Sequence, residues 1–432
     1  MKRPLRHHLI RAAVLELYAA VRVDGALADR ALERLLKREK NLFSAERRAI
    51  GEDLFLLLRR ERFLDFALRL DPARVPSQKT LFDARYAALR RLQGDSLDRI
   101  ACDPSLRARL AELPHELPDG LPTLDRVALI GSIPNELAAR LIADLGETDA
   151  LGFAQSLLER APLTIRANAL KTTRDDLRRV LRCEGIESMP TVHAPHGLTV
   201  RGFPRLTDTS AFDDGLFEIQ DEGSQLLAHL VGALPGERVV DACAGAGGKT
   251  LALSAQMADR GALLAFDVDA ARLKNLTRRA NRAGVHAIQS RAIPEDFDAA
   301  CHAPKLRGRC DRVLIDAPCS GLGVLRRAPD ARYRLSASCF DDFAARQSAL
   351  LDRLCELTRP GGRLVYATCS LARVENEAVV ERFLASRPDF SLIDAATLLP
   401  DSARGLVKDG FFKPLPHRDG CDGFFGAAME RS

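Results

Sequence analysis

The sequence contains no run of 18 apolar residues, so no segment reads as a membrane-spanning helix. It contains no CxxC, and no cysteine–histidine cluster has zinc spacing. Ribbon-type metal sites and thioredoxin-type redox chemistry are thereby excluded, and no metal is expected. Internal repeats and low-complexity tracts are also missing. The opening stretch, MKRPLRHHLIRAAVLELYAAVRVDG, is basic and then apolar, as a signal peptide would be. Arg11, Glu16 and Arg22 interrupt its apolar part, however, and no small-residue cleavage site follows. An amphipathic first helix is expected there. Ten cysteines scattered between Cys102 and Cys421, with no secretion signal, point to a reducing cytoplasm.

What is present describes an ordinary folded protein. The 432 residues are enough for two or three domains, and a hydrophobic fraction of 46% argues against disorder. The net charge is +5, and residues 1–70 alone hold 16 Lys/Arg against 10 Asp/Glu. The basic surplus therefore sits in the N-terminal segment. It suits a polyanion such as RNA or, equally on charge alone, a solvated helix surface.

Taken in order, residues 5–70 read as helices. Leu9, Ala13 and Leu17 share one face, Ala31, Leu32 and Leu35 another, and Ser44 is placed to cap a long segment through Leu54 and Leu58 to Phe66. Short helices follow at 81–92, 105–110, 123–130 and 134–142, with a proline-rich loop at 113–122. Near residue 163 the pattern changes to a small α+β module. It has strands at 163–167, 198–201 and 216–220, and a helix opened by Thr173. Residues 221–231 form a further helix. From Glu237 strands and helices alternate: strands at 239–242, 263–266, 286–289, 312–315 and 363–367, helices at 249–257, 270–282, 338–357 and 375–384. Such alternation predicts a doubly wound, mostly parallel sheet with ligands at the C-terminal strand ends.

Three stretches fall at such ends. The first, DACAGAGGKT at 241–250, is a glycine turn between strand and helix. It fails the phosphate-loop pattern because Cys243 replaces the first glycine, and the GxGxxG pattern because Thr250 replaces the last. A turn for an adenosine-type ligand remains. Asp267 ends the next strand and is favoured as a ribose ligand, since Asp269 is better placed to cap the following helix. The second and third stretches, DAPCSG at 316–321 and ATCS at 367–370, each put a cysteine just past a buried strand. A lone cysteine is best read as packing. Two over one cleft favour catalysis.

On these residues the sequence resembles the RNA (cytosine-5) methyltransferases of the NOL/NOP/Sun family, especially the bacterial branch that acts on small-subunit ribosomal RNA. The matching motifs run from RAN at 166–168 through QDEGSQ at 220–225, DACAGAGGKT, DVDAAR at 267–272, DAPCSGLGVLRR at 316–327, PGGRLVYATCS at 360–370 and ENE at 375–377 to DGFF at 422–425. The resemblance implies a Rossmann-like class I methyltransferase domain at 233–432. Before it would stand an α+β RNA-binding module with its linker at 146–232 and, more weakly, an all-α NusB-like RNA-binding domain at 1–145.

The resemblance also implies S-adenosylmethionine held by Cys243, Ala244, Gly245, Ala246, Gly247, Gly248, Lys249, Asp267, Arg272 and Asp316. Cys369 would be the nucleophile and Cys319 the group assisting release, with Asp316 and Lys249 near the base. DNA cytosine methyltransferases use the thiol of a Pro-Cys pair, which here would be Cys319, so spacing alone does not choose between the two. The match departs from the family at Ala246, where proline is usual, and after the third strand, where no acid occurs before Glu295 and Asp296. Arg326 and Arg327 are candidate phosphate contacts. Ribosomal RNA is the favoured substrate. The alternatives are transfer RNA and a non-catalytic RNA-binding assembly factor on the same scaffold.

Overall fold

Apolar residues recur every three to four positions through the first 160 residues, and this spacing gives helices. They are His7–Arg22, Ala28–Arg38, Ser44–Ala67, Gln78–Leu92, Pro104–Ala111, Thr123–Gly131, Asn135–Leu145 and Glu147–Ser156. The computed structural model describes residues 5–432, with the backbone alone at 299 and 300. Met1–Pro4, which carry part of the basic N-terminal charge, lie outside the described residues. Among the described residues no helix is long and apolar enough to cross a membrane.

The chain divides into two compact units, the first being Met1–Arg160 together with Leu325–Ser336. Its core includes Val14, Ile50, Leu54, Leu57, Leu58 and Leu64, all fully buried. Each such side chain contributes about 1.5–3 kcal/mol on leaving water. Several polar groups inside it are paired. Arg85 forks onto Asp65 through two 2.7 Å bonds, and Glu61 accepts from Arg22 and from the Tyr18 hydroxyl.

Ser44 is not the cap expected of it. It is the first helical residue, and the cap position falls to Phe43, whose N–H donates to Glu46 at 2.9 Å. Glu46, three residues past the cap, fixes the helix start.

The late segment Leu325–Ser336 packs against this helical core. The Tyr333 hydroxyl donates to the Leu58 carbonyl, Arg332 Nη1 donates to the Gly131 carbonyl, and the Arg22 guanidinium lies 3.9 Å from the Tyr333 ring centroid. Arg326 is buried in this segment and Arg327 is exposed.

The second unit is Ala161–Val324 with Ala337–Ser432. Its first part is an antiparallel sheet of β1 (Leu163–Ala167), β2 (Ser188–Pro190), β3 (Gly197–Val200) and β4 (Phe217–Ile219), in the order β2-β3-β1-β4. Thr173 caps the helix Arg174–Cys183 by accepting from the Asp176 N–H. Buried Asn168 ties this module to the next helix through the Ala283 carbonyl at 2.9 Å, and Glu218 pairs with Arg279 and Arg282.

The larger sheet holds β5 (Arg238–Asp241), β6 (Ala262–Asp267), β7 (Ile288–Ala292), β8 (Cys310–Asp316), β9 (Thr358–Thr368), β10 (Phe390–Ile393), β11 (Val407–Lys408), β12 (Phe411–Phe412) and β13 (Phe425–Arg431). Its order is β11-β12-β13-β9-β8-β5-β6-β7, with β10 also paired to β13. The five strands β9-β8-β5-β6-β7 run parallel, as alternation predicts, and β13 closes the β9 edge antiparallel. The order reverses beside β5, and a doubly wound sheet binds ligands at such a switch point. Strand β7 starts two residues later than the sequence suggests. Strands β10 to β13 are additional to the predicted set.

Candidate active site

The site is built where β9, β8, β5 and β6 end side by side. Asp241 closes β5, and a turn leads from Ala242 into the helix Gly248–Gln256. Gly247 adopts φ +87°, and a Cβ there would sit 2.6 Å from Leu276 Cγ, so the turn packs on the neighbouring helix only because the residue is glycine. Gly245, at φ +54°, has nothing within 4 Å of its Cβ position and faces open space. Half-buried Cys243 and buried Ala244 complete the turn, with the Ala244 N–H on the Phe266 carbonyl at 2.8 Å. Where the family usually has proline, the Ala246 carbonyl accepts from Arg279 at 2.7 Å, which steadies the turn by other means.

Asp267, at the end of β6, reaches this turn. Its Oδ2 accepts from the Gly245 N–H at 2.7 Å and its Oδ1 from the Asp269 N–H at 2.8 Å. Each oxygen keeps an acceptor position, a pair suited to two vicinal ribose hydroxyls. Asp269 caps the next helix through the N–H groups of Ala271 and Arg272. The Arg272 side chain is exposed and pairs with Asp269 at 3.5 Å. Glu295 and Asp296 are both exposed, past the end of β7.

Behind the turn Asp241 is buried. Its Oδ2 accepts from Thr250 at 2.7 Å, and Oδ1 has no partner. Burial pushes this carboxyl up to about 7, with the Thr250 bond opposing and the Asp316 charge adding. Burial first, then the charges of Asp316, Asp241 and Asp267, hold the Cys243 thiol well above the ordinary range, so Cys243 stays protonated.

Lys249, on the first turn of the helix, donates to Asp316 Oδ2 at 2.6 Å. Burial alone would lower this lysine, but the Asp316 charge and hydrogen bond outweigh it and raise it above its ordinary value. Its ammonium also lies 5.6 Å from the centroid of the Phe424 ring.

Strands β8 and β9 are neighbours with Asp316 opposite Ala367, so the turns that follow them meet. Cys319 Sγ lies 3.3 Å from Cys369 Sγ, and the Gly323 N–H donates to the Cys369 carbonyl at 2.9 Å. The Cys369 sulfur first, and burial next, drive the Cys319 thiol well above the ordinary range. The structure thus gathers Cys243 to Lys249, Asp267, Asp316, Cys319 and Cys369 onto adjacent strand ends.

Sequence reasoning passed over three residues here: Asp241, Phe424 and Glu375. The latter two lie within the quoted DGFF and ENE stretches, which were the available signal. Glu375 is fully buried and binds both cysteine turns. Among the described residues no group of three His, Cys, Asp or Glu could hold a metal ion.

Comparison with known proteins gives the arrangement its relatives. A family model described as 16S rRNA methyltransferase RsmB/F matches residues 228–430, and one for the ferredoxin-like domain of the same proteins matches 133–206. The ribosomal RNA small subunit methyltransferase B of Xylella fastidiosa is 35% identical over 68% of this chain and 68% of its own length. A Bacillus subtilis protein named "Probable ribosomal RNA small subunit methyltransferase B" is 34% identical over 62% of this chain, and the match spans 59% of that relative. A crystal structure of a methyltransferase homolog protein from Pyrococcus horikoshii aligns with TM-score 0.61 and 27% identity, over 73% of this chain and all of its own. The chain belongs to the RsmB/F family of RNA methyltransferases.

Proposed function

We propose that this protein transfers a methyl group from S-adenosylmethionine to carbon 5 of a cytosine in 16S ribosomal RNA, with Cys369 as covalent nucleophile. The observation that carries the reading is the Cys319–Cys369 sulfur pair, 3.3 Å apart, on the turns beside the Lys249–Asp316 ion pair. Family membership supports the RNA substrate.

The residues present fit the cofactor. The open face of Gly245 and the two remaining acceptor positions of Asp267 suit the adenosine part, with Cys243 to Gly248 lining the turn. S-adenosylmethionine, when bound, supplies an electrophilic methyl group. Carbon 5 of cytosine is a poor nucleophile by itself. Addition of the Cys369 sulfur to carbon 6 forms an S–C bond and leaves an enamine, with its electron density at carbon 5. Asp316 and Lys249 are assigned to the edge of the flipped-out base. Once carbon 5 bears the methyl group, its remaining proton must leave so that the S–C bond can break. Cys319 is assigned that proton, directly or through water, after its own thiol proton has passed to solvent; with the Cys369 sulfur bonded to carbon 6, the charge that opposes ionisation of Cys319 is gone. The helical unit and the small α+β module are assigned to gripping RNA, and the cytoplasm is the expected compartment.

Bisulfite sequencing of total RNA from cells with and without the protein tests this. Loss of one 5-methylcytosine in 16S rRNA supports it. No change at any cytosine overturns it, and loss in a transfer RNA moves the substrate.

A further inference from the structure

We infer that Glu375 is a positioning residue for the second half of the reaction: it holds the Cys319 turn against the Cys369 turn, so that the adduct at Cys369 is released. The inference rests on the function proposed above and adds a residue to it.

Glu375 is fully buried, yet its carboxylate accepts from four neutral donors. Oε1 takes the Ser320 N–H at 2.9 Å and Gln347 Nε2 at 3.1 Å. Oε2 takes the Ser320 hydroxyl at 2.6 Å and the Ser370 hydroxyl. A buried carboxylate is tolerated when its lone pairs are filled in this way. Its backbone is held separately, by the Tyr366 hydroxyl on the Glu375 carbonyl at 2.6 Å.

The two cysteine turns depend on this carboxylate unequally. Cys319 is bracketed by it. Ser320, on one side, is bonded directly, and Pro318, on the other, is reached through Gln347, whose Nε2 also donates to the Pro318 carbonyl at 2.9 Å. Cys369 has supports of its own. Asn376 Nδ2 donates to the Ser370 carbonyl at 3.0 Å, the Ser370 N–H reaches Thr368 Oγ1 at 3.2 Å, and the Gly323 N–H holds the Cys369 carbonyl. Loss of the carboxylate therefore frees Cys319 more than Cys369. Attack at carbon 6 survives, while proton removal from carbon 5 slows.

The role is geometric and does not require the charge. In Glu375→Gln the retained oxygen can face the two N–H donors, which cannot reverse, while the serine hydroxyls turn to accept from the new amide.

The test uses the full-length protein, its RNA substrate and denaturing gels, and reads covalent protein–RNA adduct per methyl group transferred. Glu375→Ala and Gln347→Leu should raise this ratio about tenfold, the scale of one or two lost hydrogen bonds. KM for RNA should hold, and Glu375→Gln should restore wild-type behaviour. An unchanged ratio in Glu375→Ala and Gln347→Leu, with activity falling only as the folded fraction falls, overturns the inference. If Glu375→Ala does not fold, Gln347→Leu decides, since leucine fills the same buried space and removes an amide oxygen that has no partner. A wild-type protein that methylates no RNA, with a Cys319→Ala variant that traps none, would instead sink the proposed function.

Discussion

The sulfur atoms of Cys319 and Cys369 lie 3.3 Å apart although 50 residues separate them, because β8 and β9 are adjacent and parallel. Two thiols this close allow a division of labour. Cys369→Ala should abolish both methylation and any covalent RNA adduct. Cys319→Ala should accumulate an adduct stable to denaturing gels. The opposite pattern would exchange their roles.

The Lys249–Asp316 pair predicts a shift in pH profile. Without the Asp316 charge, burial loses its largest opponent, leaving only the weaker effects of Cys369 and Asp241, and Lys249 is lowered. Asp316→Asn should therefore cut turnover about 10²-fold and move the alkaline limb of the remaining activity to lower pH. A pH–rate profile with an unmoved alkaline limb would show that the charge on Lys249 is not required.

The two strained glycines should respond differently. Gly247→Ala meets Leu276 and should cost about 1–3 kcal/mol of stability, as well as weakening cofactor binding. Gly245→Ala puts its methyl into open space, so only the backbone cost of about 1–2 kcal/mol applies. Its main effect should fall on S-adenosylmethionine affinity. Chemical denaturation and calorimetric titration separate the two quantities.

Asp241 predicts a stability slope. Its folded value is raised to about 7 from an ordinary 3.8. Between these values the folded state keeps a proton that the unfolded chain has lost, so this group's contribution is complete below the unfolded value and declines as pH rises to about 7. Asp241→Asn should flatten the fall in stability between mildly acidic and neutral pH. Denaturant midpoints measured across that window, wild type against variant, check the sign.

The parallel core was legible in the sequence because its strands are short apolar runs bounded by turns, and β5, β6, β8 and β9 lie within a few residues of their expected positions. Strand β13 was not, since FGAAMER has neither alternation nor a β-branched run. Its strand character comes from pairing with β9. The proximity of the two cysteines could be anticipated from their common position after strands, but the part of Glu375 could not, because its bonds to Ser320 and Ser370 exist only once β8 and β9 are neighbours. Arg272 has a local partner that its position foretold: the helix-capping Asp269, three residues earlier, pairs with its guanidinium at 3.5 Å. Arg326 misled because the segment after the cysteine turn is buried among the N-terminal helices' own contacts, where Arg59 Nη2 donates to its carbonyl at 3.3 Å.

That segment bears on biosynthesis. The ribosome finishes Arg160 long before it reaches Tyr333, whose hydroxyl and ring engage Leu58 and Arg22. At ordinary elongation speed the nascent helical unit waits roughly ten to thirty seconds for its last piece. During that interval its Leu58 and Gly131 carbonyls lack their native donors. A gene cut after residue 160 would make the wait permanent, and a fragment expressed that way should be less stable than the same residues within the whole chain.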